Sequence, residues 1–172
     1  MRFGNDGFEA FFVTVVGRAV DSAERVLGDR GDAEDAAVEA LARAHLRWGR
    51  LRDDPHREAW VLRVAINVAI DQQRQDRRRL RRHERLTNAV VVPAFDGGTV
   101  DRLDLARALH DLPARQREAV ALRYLADMSE CEVAAAMGVT VGSIKVHLHR
   151  GLQSLGRRLP RIVTEEAADA RA

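Results

Sequence analysis

The chain has 172 residues, 46% hydrophobic and 31% charged, which suits one compact domain or two small ones and excludes disorder along its whole length. Its formal charge is only +2, so any binding of polyanions must come from local clusters rather than the total. A single cysteine, Cys131, excludes an intrachain disulfide framework, and no apolar run approaches the roughly 18 residues of a membrane span.

The first predicted helix carries Phe8, Phe11, Phe12, Val15, Val16, Ala19 and Val20 on one stripe and stops near "LGDRGD". Asp32 is expected to cap the second, "DAEDAAVEALARAHLRW", whose acidic start and later arginines complement the helix dipole. "GRLRDDPHRE" reads as a loop. A third helix is predicted from about Arg57 to Leu86, apolar at Trp60, Val61, Val64, Ala65, Val68 and Ala69 and polar beyond. Trp60 is expected in the core. Asn67, Asp71, Arg74 and Arg78 are spaced by four, three and four and so share one face of this helix, with Arg77, Arg79, Arg81 and Arg82 adding charge near its end. Such a face can hold a nucleic-acid strand by its phosphates.

From about Thr87 to Val100 the periodicity disappears in "TNAVVVPAFDGGT", which reads as a linker; a strand at "AVVV" would lack a partner run. Beyond it, "VDRLDLARALHDL" and "PARQREAVALRYLADM" are helical by spacing, with Pro113 expected at the first helical position. Ser129 and Glu132 stand at capping-box spacing, Gly138 can take the left-handed conformation of a sharp turn, and Thr140 can cap a final helix with Ile144, Leu148, Leu152 and Leu155 inward. Two short helices joined by a glycine turn make a helix-turn-helix. Its second helix would turn Val141, Gly142, Ser143, Lys145 and Val146 toward base edges, with His149, Arg150 and Arg157 reaching phosphates. Lys145 is the only lysine in the chain.

The stretch "LHDLPARQREAVALRYLADMSECEVAAAMGVTVGSIKVHLHRGLQSL" resembles the C-terminal DNA-binding domain of bacterial sigma factors, a pattern that LuxR-type regulators share in large part. A LuxR response regulator would carry a strand-helix receiver domain in front, and no strand series appears here. The N-terminal half instead resembles the second region of extracytoplasmic-function (ECF) sigma factors of the sigma-70 superfamily, through "GDAEDAAVEALARA" and "AWVLRVAINVAIDQQRQDRRR". The resemblance implies that the first of these segments docks on RNA polymerase core through Asp32, Asp35, Glu39 and Arg43. It implies that the second, with Asn67 helping to form a base pocket, recognises and opens the minus-ten element. Two positions depart from the family pattern: Ile66 precedes Asn67 where an arginine is common, and Val38 stands where glutamine is common.

Catalysis has little support. His147 and His149 are two residues apart on a helix and point about 200° from each other, so they cannot chelate one metal. Cys131 is expected to be a small packing residue with no histidine placed to activate it. No metal, cofactor or catalytic residue is assigned.

The expectation is therefore an all-α chain: region 2 over 1–86, a flexible linker over 87–100, a region 4 helix-turn-helix domain over 101–160, and a tail over 161–172. The function implied is a cytoplasmic sigma factor that directs RNA polymerase core to promoter DNA. An anti-sigma factor is a further partner the resemblance allows, and no membrane insertion is expected. The alternative is a stand-alone helix-turn-helix regulator of the LuxR type.

Overall fold

The structure is a computed structural model and describes residues 7–87 and 97–159. Among these residues every regular element is helical: α1 (Phe8–Leu27), α2 (Arg30–Leu46), α3 (Trp48–Leu51), α4 (Arg57–Thr87), α5 (Gly97–His110), α6 (Ala114–Val120), a π-helical turn (Ala121–Leu125), α7 (Glu130–Met137) and α8 (Val141–Arg158). The predicted "AVVV" segment lies outside the described residues.

The front half is a three-helix body in which α1, α2 and α4 pack on one another. The stripe read from the sequence is the buried one on α1, with Phe11, Val15, Ala19 and Val20 inside. On α2 the inward side is almost entirely alanine, with Ala33, Ala36, Ala37, Ala40 and Ala44 around Leu41, and such small side chains let helix backbones approach closely. Leu62, Ile66 and Ile70 of α4 fill the centre. Each large apolar side chain buried in this way contributes about 1.5–3 kcal/mol.

Local chemistry sets the helix ends. Gly28 closes α1 at φ 73°, a left-handed conformation that glycine adopts without steric cost. The cap of α2 is Asp29, whose carboxylate accepts from the Asp32 amide at 2.9 Å; Asp32, expected as the cap, stands inside the first turn instead. The second helix ends at Leu46, two residues before the expected Trp48, and the single turn α3 spans Trp48 and the first residues of the expected loop. It buries Trp48, whose ring meets Phe8 edge-on and stacks on Phe11, both at 5.2 Å between centroids. Trp48 is thus buried in the core, and Trp60, half-buried, packs against the same core with the Arg47 guanidinium 5.6 Å from its ring centre.

The back half begins with α5, which buries Ala106, Ala108 and Leu109. Pro113 is the N-cap of α6, one position before the expected site. At Ala121 the helix widens into the π turn, and the Ala126 amide reaches back five residues to the Ala121 carbonyl at 3.1 Å. α8 then crosses α6 closely, since a Cβ added at Gly151 would lie 2.8 Å from Val120 Cγ2. Gly151 is therefore buried where Leu152 was expected; Leu152 is 38% exposed. Cys131, expected to pack, is exposed.

The two halves meet. α5 lies along α4 and touches α1, the π turn packs on both α1 and α4, and the apolar cores form one continuous cluster. The ion pairs and hydrogen bonds that cross this junction involve arginines of the front half.

Candidate nucleic-acid interface

The helix-turn-helix is built as its sequence dictates. The Ser129 hydroxyl accepts from the Glu132 amide at 3.2 Å, while the Glu132 carboxylate accepts from the Ser129 amide at 2.8 Å, a reciprocal cap that fixes where α7 starts. Hydrogen bonds from the Ser129 hydroxyl, and then from its amide, hold the Glu132 carboxyl below its ordinary range. Gly138 ends α7 at φ 64°. Thr140 then caps α8 by accepting from the Ser143 amide at 3.2 Å. α7 and α8 are bent by 102° at this break, within the range of a DNA-reading helix pair.

Ile144, Leu148 and Leu155 anchor α8 inward. Gly142, Lys145, Val146, His149 and Arg150 are exposed on its outer side, and Val141 and Ser143 are half-buried at its start. The Ser143 hydroxyl is engaged with Thr140 at 3.0 Å, and Lys145 Nζ stands 3.9 Å from Glu130. The expected reading set is therefore brought together on one face. Its two long basic side chains, Lys145 and Arg150, are both exposed, and Lys145 has only the distant Glu130 carboxylate beside it.

On α4, Asp71, Arg74 and Arg78 are exposed and Asn67 is half-buried. Arg77 also lies on α4, but its side chain is outside the described residues. Sequence reasoning omitted Arg63. It is four residues before Asn67 and eleven before Arg74, so the three lie within about 40° of one another around the helix axis; that spacing could have identified it. Arg63 donates to Glu118 of α6 at 2.5 Å. Arg74 Nη1 lies 2.6 Å from His110 Nε2. Because a guanidinium only donates, His110 Nε2 is the acceptor and its proton sits on Nδ1, which faces Asp111 at 3.6 Å.

Two further arginines, on α1, also escaped sequence reasoning. Arg18 donates to Glu58 and, at 3.2 Å, to the Ala126 carbonyl. Arg25 donates to the Leu125 carbonyl at 3.0 Å and to the Asp127 carboxylate. That hydrogen bond lowers the pKa of Asp127 and raises that of Arg25. Asp127 holds this position at φ 53°, a left-handed conformation uncommon for residues other than glycine.

The residues expected to dock on polymerase, Asp32, Asp35, Glu39 and Arg43, are all exposed on the outer side of α2. Arg43 Nε is paired with Glu39 at 2.8 Å. Beside them Val38 and Leu46 are 57% and 85% exposed, an apolar pair that the charges alone did not suggest. No single helix among the described residues is long and apolar enough to cross a membrane.

Residues 11–79 match the family Sigma-70 region 2, and residues 102–155 match Sigma-70, region 4. The chain is 35% identical over 156 residues to the RNA polymerase sigma-E factor of Streptomyces coelicolor, covering 88% of this chain and 85% of that one. It is 36% identical over 138 residues to the ECF RNA polymerase sigma factor SigF of Caulobacter vibrioides, with 80% and 76% covered. In fold it is similar to the sigma factor RpoE of Bartonella quintana, solved with the anti-sigma factor NepR. That match has a TM-score of 0.52 at 23% identity and covers 92% of this chain and 99% of that one. It is also similar to CnrH, solved with the cytosolic domain of CnrY, at a TM-score of 0.53 and 18% identity, covering 93% and 92%. With both regions present in order and relatives above 30% identity along most of its length, the chain belongs to the ECF sigma factors of the sigma-70 family.

Proposed function

We propose that this ECF sigma factor divides promoter recognition between the outer face of α8 and the Asn67–Arg78 face of α4, with α2 as its attachment to RNA polymerase. As a family member it directs core polymerase to specific promoters and initiates transcription there. RNA synthesis belongs to the core, and the chain acts in the cytoplasm alongside it.

Region 4 supplies the upstream contact. α8 enters the major groove N-terminus first, so Val141, Gly142, Ser143, Lys145 and Val146 approach base edges, and His149 and Arg150 approach phosphates. Each correct base contact is worth about 1–3 kcal/mol of discrimination. Region 2 supplies the downstream contact. Opening a duplex costs a few kcal/mol per unstacked base, recovered when an extruded base is accepted near Asn67 and the strand is held by Arg74, Arg77 and Arg78. Asp71 lies on this face and discourages a phosphate at its own position, which helps set the strand's register. Neither element binds strongly alone, and tethering makes the second contact intramolecular.

Asp32, Asp35, Glu39 and Arg43 form the polar part of the polymerase contact, with Val38 and Leu46 as its apolar part. The sigma factor RpoE was solved with an anti-sigma factor and CnrH with the cytosolic domain of CnrY; an anti-sigma factor is the third partner we assign to this chain.

The observation that carries this reading is one chain holding an arginine-bearing region 2 helix and a capped region 4 helix-turn-helix in that order. The test is run-off transcription with purified core polymerase over a library of promoter fragments. Addition of the chain should produce transcripts from a specific subset, whereas a stand-alone regulator would leave the core inactive on every fragment.

A further inference from the structure

Among the described residues of α4 the last buried side chain is Ile70, yet the helix runs on to Thr87, about 25 Å further along its axis. Gln73 and Arg74 still touch the body of the protein, Gln73 donating to the Leu27 carbonyl at 3.1 Å and Arg74 lying against His110. Beyond them the described residues make one ion pair, Arg79 with Asp76 of the same helix at 3.7 Å. A polar helix end without an inward face needs another partner, and its composition names the kind. Residues 71–87 carry seven arginines against Asp71, Asp76 and Glu84, a local excess of four positive charges in a chain whose total is +2. The match to Sigma-70 region 2 stops at residue 79, so the last two turns of α4 lie beyond the matched segment.

Two faces of this end are distinct. Asn67, Arg74 and Arg78 lie within about 40° of one another around the axis and form the strand stripe. Gln75, Arg79 and Arg82, spaced by four and three, form a second stripe turned about 60–120° from Asn67, and all three are exposed. Gln73 is turned about 120° the opposite way, toward the end of α1, and Arg74 is turned toward His110 of α5. The second stripe therefore faces away from both. Its guanidinium and amide groups are the donors that phosphate oxygens accept from.

Chain order gives this end a direction. From α4 the chain continues through residues 88–96 to region 4, the reader of the upstream element, so the far end of α4 lies upstream of the Asn67 pocket. Arg82 is about 22 Å past Asn67 along the axis, the length of about six base pairs. That reach carries it out of the opened element and onto paired DNA.

We propose that the far end of α4 is a duplex-backbone contact, in which Arg79 and Arg82, with Gln75, take phosphates of the double-stranded spacer just upstream of the minus-ten element without reading bases. This rests on the reading of the Asn67 face as the strand-binding element. Phosphates held on the paired side fix the point at which the strands part, and they add a salt-dependent, sequence-independent share to promoter affinity.

The test uses the chain assembled with core polymerase and a promoter fragment drawn from the run-off assay. Arg79→Gln/Arg82→Gln removes two charges from the contact, and Arg30→Gln/Arg50→Gln removes two at exposed positions elsewhere. Three probes are compared: the intact duplex fragment, the same fragment with neutral methylphosphonates in the spacer, and a single-stranded minus-ten oligonucleotide. The Arg79/Arg82 variant should bind the intact fragment about three- to tenfold more weakly than the charge-matched control at moderate salt, with a salt dependence lower by about one to two ions. Methylphosphonates should weaken wild type to a similar extent and leave the Arg79/Arg82 variant nearly unchanged. Affinities for the single strand and for core should be equal in all three proteins. Equal binding of the intact fragment by variant and control would overturn the proposal. A matching loss on the single strand would also overturn it, by placing the pair on the opened strand, and a loss of core affinity would do so by making this end a polymerase contact. A wild-type chain that confers no transcription on core would sink the functional reading and this proposal together, whereas transcription without the spacer effect sinks the proposal alone.

Discussion

Arg63 of α4 reaches across the junction to Glu118 of α6 at 2.5 Å, and the arginine side chain is 34% exposed while the glutamate is 13% exposed. Arg115 stands 3.5 Å from the other oxygen of the same carboxylate. The two partners are therefore not equivalent. Removing Glu118 leaves a cation that water can still reach, whereas removing Arg63 leaves a mostly buried carboxylate with one remaining partner. Glu118→Ala should lower stability by about 1 kcal/mol and Arg63→Ala by about 2 kcal/mol. Urea unfolding of the two variants checks the order, and equal losses would mean that the glutamate is better hydrated than its surroundings indicate.

Two glycines in helices should respond oppositely to alanine. Gly151 has Val120 Cγ2 at 2.8 Å from where its Cβ would stand, so Gly151→Ala should destabilise the region 4 body by about 1–3 kcal/mol through overpacking of α8 on α6. Gly17, within α1, has nothing within 4 Å of its Cβ position. Gly17→Ala should raise stability by about 0.5–1 kcal/mol through helix propensity. Thermal unfolding midpoints that move in opposite directions are the expected result.

Much of this architecture was legible from local pattern. The stripe on α1, the span of α4, the capping box at Ser129 and Glu132 and the caps at Gly138 and Thr140 all depend on residues within one or two turns of one another, so spacing alone reveals them. The junction depends on partners far apart in sequence. Arg63 and Glu118 are separated by 55 residues and Arg25 and Asp127 by 102, and no periodicity links them. Leu152 was assigned inward because leucine at helical spacing is usually core; the close crossing at Gly151 rotates it outward. Likewise Trp48, read as the last residue of the second predicted helix, begins the separate turn α3 and is more deeply buried than Trp60, which packs half-buried against the same core. The outward residues of α8 were readable because their face is defined by what the opposite side buries. Whether the stripe on α4 is open or covered is a tertiary property and left no local mark.

Acid should loosen two defined points. Glu132 and Asp127 both have pKa values held below their ordinary range, Glu132 by Ser129 and Asp127 by Arg25. A carboxyl whose folded pKa is depressed contributes stability that is fully present above its unfolded pKa, about 4, and is lost as pH falls through the folded value. Wild type should therefore exceed Asp127→Asn in stability at pH 7 and at pH 5, with the difference shrinking below about pH 4. Glu132→Gln keeps the cap geometry but loses the charge, and its difference from wild type should shrink over the same interval. Urea midpoints measured from pH 7 to pH 3 test both, and a gap that widens on acidification would reverse the assigned sign.

Lys145→Ala together with Arg150→Ala should weaken binding of the polymerase complex to upstream-element DNA by about tenfold or more at moderate salt. The salt dependence should fall by about one to two ions, since a base-edge and a phosphate contact are both lost. Affinity for core polymerase should not change, because α2, the proposed polymerase contact, is remote from α8 in the chain. Competition binding to core and gel-shift titration at several salt concentrations separate the two, and impaired assembly with core would contradict the division of labour between α2 and α8.

The outward orientation of Val146, His149 and Arg150 has a consequence for the order of events at a promoter. If α8 reads the groove and α4 the opened strand, as proposed, a molecule whose α8 face is accessible while Arg63 and Arg74 of α4 are engaged by Glu118 and His110 can sample intact duplex without prying it apart. Address finding and strand separation then become successive steps rather than simultaneous ones.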